Sequence, residues 1–171
     1  MKIILMFVSS LDGKITKDDD PEVTHWSSKE DQALFSRIKN KSSLLVMGRK
    51  TYEAAHIQLK PGILRIVLTH NPQKGVPGIL EFTDETPREL VNRLKNKYKQ
   101  MLLLGGSDIA TQFFKEKLID EVWLTIEPEI FGKGTPIVTD ESPNVSLKLI
   151  SLRRLNPHGT LHVRYEVIER S

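Results

Sequence analysis

Six apolar runs of strand length recur along the 171-residue chain, at Lys2 to Val8, Ser43 to Met47, Ile63 to Leu68, Ile79 to Phe82, Met101 to Leu104 and Val122 to Ile126. Stretches of helical periodicity fill the gaps, and this alternation predicts an α/β fold around a largely parallel sheet. The segment Ser27 to Lys39 opens with a capping-box spacing, Ser27-Ser28-Lys29-Glu30, and carries Leu34, Phe35 and Ile38 on one face. Thr86-Pro87-Arg88-Glu89 is a second capping box with proline at the first helical position, and Leu90, Val91, Leu94 and Tyr98 form its stripe. The end of the chain breaks the rhythm. Val145 to Leu155 and Thr160 to Ile168 read as two strands joined by Asn156-Pro157-His158-Gly159, a hairpin that pairs antiparallel at one edge of the sheet. The length predicts one domain, residues 1–171.

The loops at the strand ends matter more for function. Met101 to Leu104 stops at Gly105-Gly106-Ser107, just before an apolar run with Ile109, Phe113 and Phe114. Paired glycines let the main chain turn sharply and lie close to a ligand, and a helix starting near Ser107 aims free N–H groups at an anion. A bare corner would leave the same pattern. Gly48-Arg49-Lys50-Thr51 after the second strand repeats the junction, with Tyr52, Glu53, Ala54 and Ala55 as helix formers. Arg49 and Lys50 stand against the helix dipole there, which an anion between them would relieve; the alternative is a solvated basic pair. Thr69-His70 ends the third strand. Ligands of open parallel sheets bind outside the carboxyl ends of the strands, so the three loops are expected to converge on one elongated phosphorylated ligand.

In the first helix Asp31 precedes Leu34 and Phe35 by three and four residues, which places its carboxylate on the apolar face. A desolvated acid in a cleft has a raised pKa and suits proton transfer; an acid at the edge of the stripe would only favour the helix dipole. Trp26 is placed to stack on a planar ligand or to staple the helix start, and Asp12-Gly13 reads as a turn.

Several function classes are disfavoured. A net charge of +3 is spread along the chain without a dense basic block, which argues against nucleic acid as a partner. No run reaches the length of a membrane span, and the apolar N-terminus lacks a cleavage site and reads as the first strand. There is no cysteine, so no disulfide or thiolate chemistry, and cytoplasmic residence is the expectation. The five histidines show no metal-ligand spacing, and no metal is predicted.

The order of motifs resembles the dihydrofolate reductase-like superfamily. Those motifs are Ser10-Leu11-Asp12-Gly13-Lys14-Ile15, Trp26 with Glu30-Asp31 and Phe35, Met47-Gly48-Arg49-Lys50-Thr51-Tyr52-Glu53, Leu104-Gly105-Gly106-Ser107, and Leu118-Ile119-Asp120-Glu121 with Pro128 and Gly132-Lys133-Gly134-Thr135-Pro136. Within the superfamily the chain is most similar to the C-terminal reductase domain of the bifunctional riboflavin-biosynthesis deaminase/reductase. The resemblance implies an α/β mixed sheet of about eight strands, flanking helices and NADPH as hydride donor. It assigns Gly105, Gly106, Ser107, Ile109 and Ala110 to the pyrophosphate and nicotinamide side, Gly48, Arg49, Lys50, Thr51, Thr69 and His70 to the adenosine phosphates, and Val8 and Ser9 to the back of the nicotinamide. A heterocyclic small-molecule substrate would meet Asp12, Gly13, Trp26, Ser27, Asp31 and Phe35, with Asp31 and Asp12 as the catalytic acids. Asp31 matches the substrate-binding acid of dihydrofolate reductases, and Asp12 the acid of the riboflavin-type loop. The implied activity is 5-amino-6-(5-phosphoribosylamino)uracil reduction. The alternatives are dihydropterin reduction and a non-catalytic nicotinamide-nucleotide-binding protein. Domains of the riboflavin type are commonly dimers, and the last hairpin, with alternating Leu161, Val163, Tyr165 and Val167, fits either the interface of a homodimer or an edge strand packed on its own core.

Overall fold

Every predicted strand forms within one residue of its expected bounds in the computed structural model, which describes residues 1–56, 58–139 and 144–168. In chain order the elements are β1 (Lys2–Ser9), α1 (Lys29–Lys41), β2 (Leu44–Gly48), α2 (Arg49–Ala55), β3 (Leu64–Leu68), β4 (Leu80–Thr83), α3 (Pro87–Leu94), β5 (Gln100–Leu103), α4 (Ser107–Lys115), β6 (Glu121–Ile126), β7 (Ser146–Arg154) and β8 (Leu161–Ile168), with a short 3-10 turn at Val23–His25. The three terminal residues of the expected 1–171 domain lie outside the described residues. The strands make one sheet in the order β4-β3-β2-β5-β1-β6-β8-β7. From β4 to β6 every neighbour is parallel, and β8 and β7 are added antiparallel. This is the α/β mixed sheet of eight strands with a C-terminal hairpin.

The apolar runs follow from the two-sided cover. A parallel strand with helices on both faces is buried on both, so β2 is buried at all five positions. Along β1 the side chains divide by parity. Ile3, Leu5 and Phe7 pack with Leu90 and Leu94 of α3 and Ala110 and Phe113 of α4, while Ile4 and Met6 join the layer of Phe35, Ile38 and Tyr52 from α1 and α2. Leu90 and Leu94 are essentially inaccessible, and burying a leucine contributes about 1.5–3 kcal/mol.

The α3 capping box forms as expected: Glu89 N–H donates to the Thr86 hydroxyl and Thr86 N–H to the Glu89 carboxylate. The α1 expectation needs correction. Ser28 is the cap, in extended geometry, and its hydroxyl accepts from Asp31 N–H, so the helix starts two residues later and Glu30 closes no box. Glu30 instead accepts from Asn156 Nδ2 at 3.2 Å.

At the far edge a register shift between Leu149 and Ser151 leaves Ile150 out of the ladder. That bulge keeps Leu147, Leu149 and Leu152 opposite Val167, Tyr165 and Val163, one row on one face, exposed by 42, 52 and 58%.

Candidate active site at the carboxyl ends of the strands

Because β3, β2, β5, β1 and β6 are adjacent and parallel, their carboxyl ends share one edge. There Gly48 N–H donates to Gly105 O at 2.7 Å, tying the ends of β2 and β5 together. Gly105 has φ +84 and its peptide bond to Gly106 is cis. A Cβ on Gly105 would stand 2.3 Å from Phe7 Cε1, and one on Gly48 would stand 3.0 Å from Ile109 Cγ1. Glycine is therefore demanded twice at this junction, once by backbone conformation and once by close approach. Gly106 caps α4 with no side chain of its own, and Thr51 Oγ1 lies 3.5 Å from where its Cβ would be. Ser107, Gly48, Gly105, Gly106, Thr51 and Ile109 are thus brought together.

The other expected phosphate ligands are placed differently. Arg49 Nε pairs with Glu53 Oε1 at 2.8 Å on the surface of α2, which answers the unfavourable dipole locally, and Lys50 is exposed beside it. Thr69 and His70 stand past β3, with the Thr69 hydroxyl accepting from Asn71 N–H and His70 in solvent. Ala110 is wholly buried in the core, so its side chain faces α4's packing partners. The Ser107 hydroxyl is taken by Pro136 O.

On the other side of β1, the first turn of α1 brings Asp31 against β6. Asp31 is only 4% exposed. Burial pushes its carboxyl up to about 6; hydrogen bonding with Thr125 opposes this, and the charge of Glu127 adds to it. The Thr125 hydroxyl lies 3.2 Å from His162 Nδ1, and that buried imidazole is held below its usual pKa by burial and then by Arg164 and Arg153. Trp26 and Ser27 are both buried, and neither Trp26 Nε1 nor Ser27 Oγ has a hydrogen-bond partner among the described residues. Trp26 meets the ring of Phe131 edge-on at 4.9 Å. Phe35, one turn along α1 from Asp31, packs with Met6 and Met47 in the layer below. Ser9 is buried at the end of β1, with Val8 half-buried before it.

Asp12 has a different setting. Its carboxylate accepts from the Ser10 hydroxyl at 2.6 Å, Phe131 N–H at 3.0 Å and Gly132 N–H at 2.7 Å. Ser10 first, then these amides, hold it down to about 2 although it is in solvent. Asp12 clasps its loop, in which Gly13 takes φ +77, to the loop after β6. Further pairing of Leu11 N–H with Glu129 O and Ile15 N–H with Thr135 O closes this seam. Phe131 links the two acids' settings, its amide on Asp12 and its ring on Trp26.

Thr125, Glu127, Thr160 and His162 are not singled out by the sequence. Polar Glu121, Thr125 and Glu127 share one parity, with Trp123, through an otherwise apolar stretch, and that period of two was the available signal. Among the described residues no group of three or more His, Cys, Asp or Glu is placed to hold a metal ion, and no helix is long and apolar enough to cross a membrane.

The chain is similar to known proteins in sequence and fold. YwjB of Bacillus subtilis (strain 168), itself uncharacterized, is 26% identical across 94% of this chain and 96% of its own. The deaminase/5-amino-6-(5-phosphoribosylamino)uracil reductase of Thermotoga maritima superposes with a TM-score of 0.78 at 18% identity, over 98% of this chain and 56% of that one. Dihydrofolate reductase of Enterococcus faecalis, in complex with NADP(H) and RAB-propyl, gives 0.70 at 19% identity over 98% and 97%. The family model of the RibD C-terminal domain matches residues 1–161, nearly the full length, and this chain belongs to that family.

Proposed function

We propose that the protein is an NADPH-dependent reductase of the pyrimidine-reductase type, acting on 5-amino-6-(5-phosphoribosylamino)uracil or a close relative. The observation that carries this reading is the pairing, across β1, of a glycine-lined strand junction with a buried carboxyl whose pKa burial raises. The junction fits a dinucleotide: its two tight positions are cleared of side chains, and α4 starts on a glycine N-cap with no side-chain hydrogen bond to its first N–H groups. Gly48, Thr51, Gly105, Gly106, Ser107 and Ile109 would hold the cofactor there, with Val8 and Ser9 behind the nicotinamide and Arg49, Lys50, Thr69 and His70 toward the adenosine phosphates. Bound there, NADPH would supply hydride to an imine-like carbon of the substrate.

This chain's own residues do the rest. Asp31, with a pKa near 6, carries a proton through part of the neutral range and can deliver it to the substrate nitrogen beside the reduced carbon. The unpartnered Trp26 Nε1 and Ser27 Oγ are groups that a polar ring would satisfy. Asp12, held ionised by three donors, fixes the loop that carries Gly13 to the loop after β6.

Purified protein mixed with NADPH and, in parallel, 5-amino-6-(5-phosphoribosylamino)uracil or dihydrofolate tests the reading through loss of reduced-nicotinamide absorbance. Rapid oxidation with the pyrimidine supports it. Oxidation with dihydrofolate alone moves the substrate to the pterin side, a second reading favoured by the depth of Asp31. NADPH binding without turnover of either supports a non-catalytic binder. Gly105→Ala should abolish NADPH binding, since its methyl meets Phe7. A homodimer through the exposed leucine row of β7 belongs to the same proposal, and a concentration-independent monomer in sedimentation would exclude it.

A further inference from the structure

We propose that Glu127 is the positioning residue of this site: a second buried carboxylate at the same helix end, held beside Asp31 through Ser28 so that its charge adds to the effect of burial on Asp31. Glu127 is 3% exposed and follows β6 directly. It precedes Pro128, which holds it extended, and its N–H donates to Ser9 O at 2.8 Å. Each of its two oxygens accepts a hydrogen bond. Ser28 N–H, at the start of α1, donates to Oε1 at 2.8 Å, and the Thr160 hydroxyl donates to Oε2 at 2.6 Å.

The direction of the second bond is fixed from outside. Asn156 Oδ1 accepts from the N–H groups of Gly159 and Thr160, which leaves its Nδ2 to donate to Thr160 Oγ1 at 2.8 Å. The Thr160 oxygen is thereby supplied, and its own proton goes to Glu127. Each Glu127 oxygen is thus placed as an acceptor facing one donor.

Asp31 lies in the first turn of the same helix, its N–H on Ser28 Oγ at 3.2 Å, while Glu127 takes the N–H of that same Ser28. One serine therefore brings the two acids to one place. Two carboxylates in a dry site oppose each other's ionisation; the one better supplied with hydrogen-bond donors takes the charge first, and the other holds its proton to higher pH. Among the groups acting on Asp31 there is no cation: burial comes first, then Thr125, then Glu127. The other groups around the pair are His162 behind Thr125, flanked by Arg164 and Arg153, and the exposed Glu30, which feels His158 and Lys29.

The proton-donor role of Asp31 rests on the reductase reading above, but the placement of the proton does not, and it can be measured in the resting protein. Aspartate Cγ and glutamate Cδ are labelled with carbon-13 and followed by NMR from pH 4 to 8 in wild type, Glu127→Gln and Glu127→Asp. The expected result is an Asp31 midpoint lowered by roughly half a pH unit in E127Q, which keeps the shape and loses the charge, and little changed in E127D, which keeps the charge. An unchanged midpoint in folded E127Q overturns the proposal, as does an equal fall in both variants, which would make loosened packing the cause. Should E127Q fail to fold, wild type decides: the Glu127 carbon must respond at the Asp31 midpoint, and a flat trace overturns the coupling. In the turnover assay the acidic limb of the pH–rate profile should move with the Asp31 midpoint. Total inactivity together with the NMR shift would overturn the reductase reading and leave the proton placement standing.

Discussion

Asp31 and Asp12 are the same residue type and are linked through Phe131, whose amide meets one and whose ring packs on Trp26 near the other, yet they are driven in opposite directions, to about 6 and about 2. Asp12 stands in water with a hydroxyl and two main-chain N–H groups aimed at its oxygens. Asp31 stands out of water with a hydroxyl already shared with an imidazole and a second carboxylate nearby. Solvent access and donor count decide the outcome. The acid with the most hydrogen bonds is the one fixed in a single ionisation state, and the under-supplied acid is the one free to exchange a proton.

The comparison breaks first on activity. Asp31→Asn should lower turnover by about 100- to 10,000-fold, the range for a general acid, while Asp12→Asn should cost less than about tenfold; equal losses in steady-state assays would mean that the two acids share the chemistry. On stability the sign reverses. The folded-state pKa of Asp31 lies above its ordinary 3.8, so the proton it holds favours the fold fully below that value, and the benefit is lost as pH rises through about 6. Asp31→Asn should therefore raise stability at pH 8 by about 2–3 kcal/mol in denaturant melts, and the gain should vanish by about pH 4. Thr125→Val removes the hydrogen bond that restrains Asp31, and its carboxyl midpoint should climb by somewhat under about one pH unit. Smallest is Ser10→Ala: it removes the leading donor to Asp12, whose midpoint should drift back toward 3.8 as amide exchange quickens at Phe131 and Gly132.

Much of this was legible in advance because it depends on local pattern. Runs such as Leu44 to Met47 are apolar because both faces are covered, and the Thr86–Glu89 box is a matter of four consecutive residues. Asp31 on the apolar face follows from helical spacing alone. The displaced cap of α1 was harder, since Ser27 and Ser28 are both good caps and only the fold chooses between them. The choice falls on Ser28 where Glu127 takes its N–H, a contact across 99 residues. Glu127, Thr160 and His162 were missed for the same reason: their meaning lies in the β6–β8 register, which sets Thr125 opposite His162, and no local window contains both. Conversely the Arg49–Lys50 signal weakened once Glu53 supplied Arg49 with a partner one turn away.

The row of leucines on β7 has a colloidal consequence. Lys148, Arg153 and Arg154 sit on the strand that carries Leu147, Leu149 and Leu152, and the chain as a whole is +3. Attraction and repulsion are thus written on one edge, and only the repulsion is screened by salt. A solution of this protein should scatter more light as sodium chloride is added, the reverse of what a charge-paired association would do.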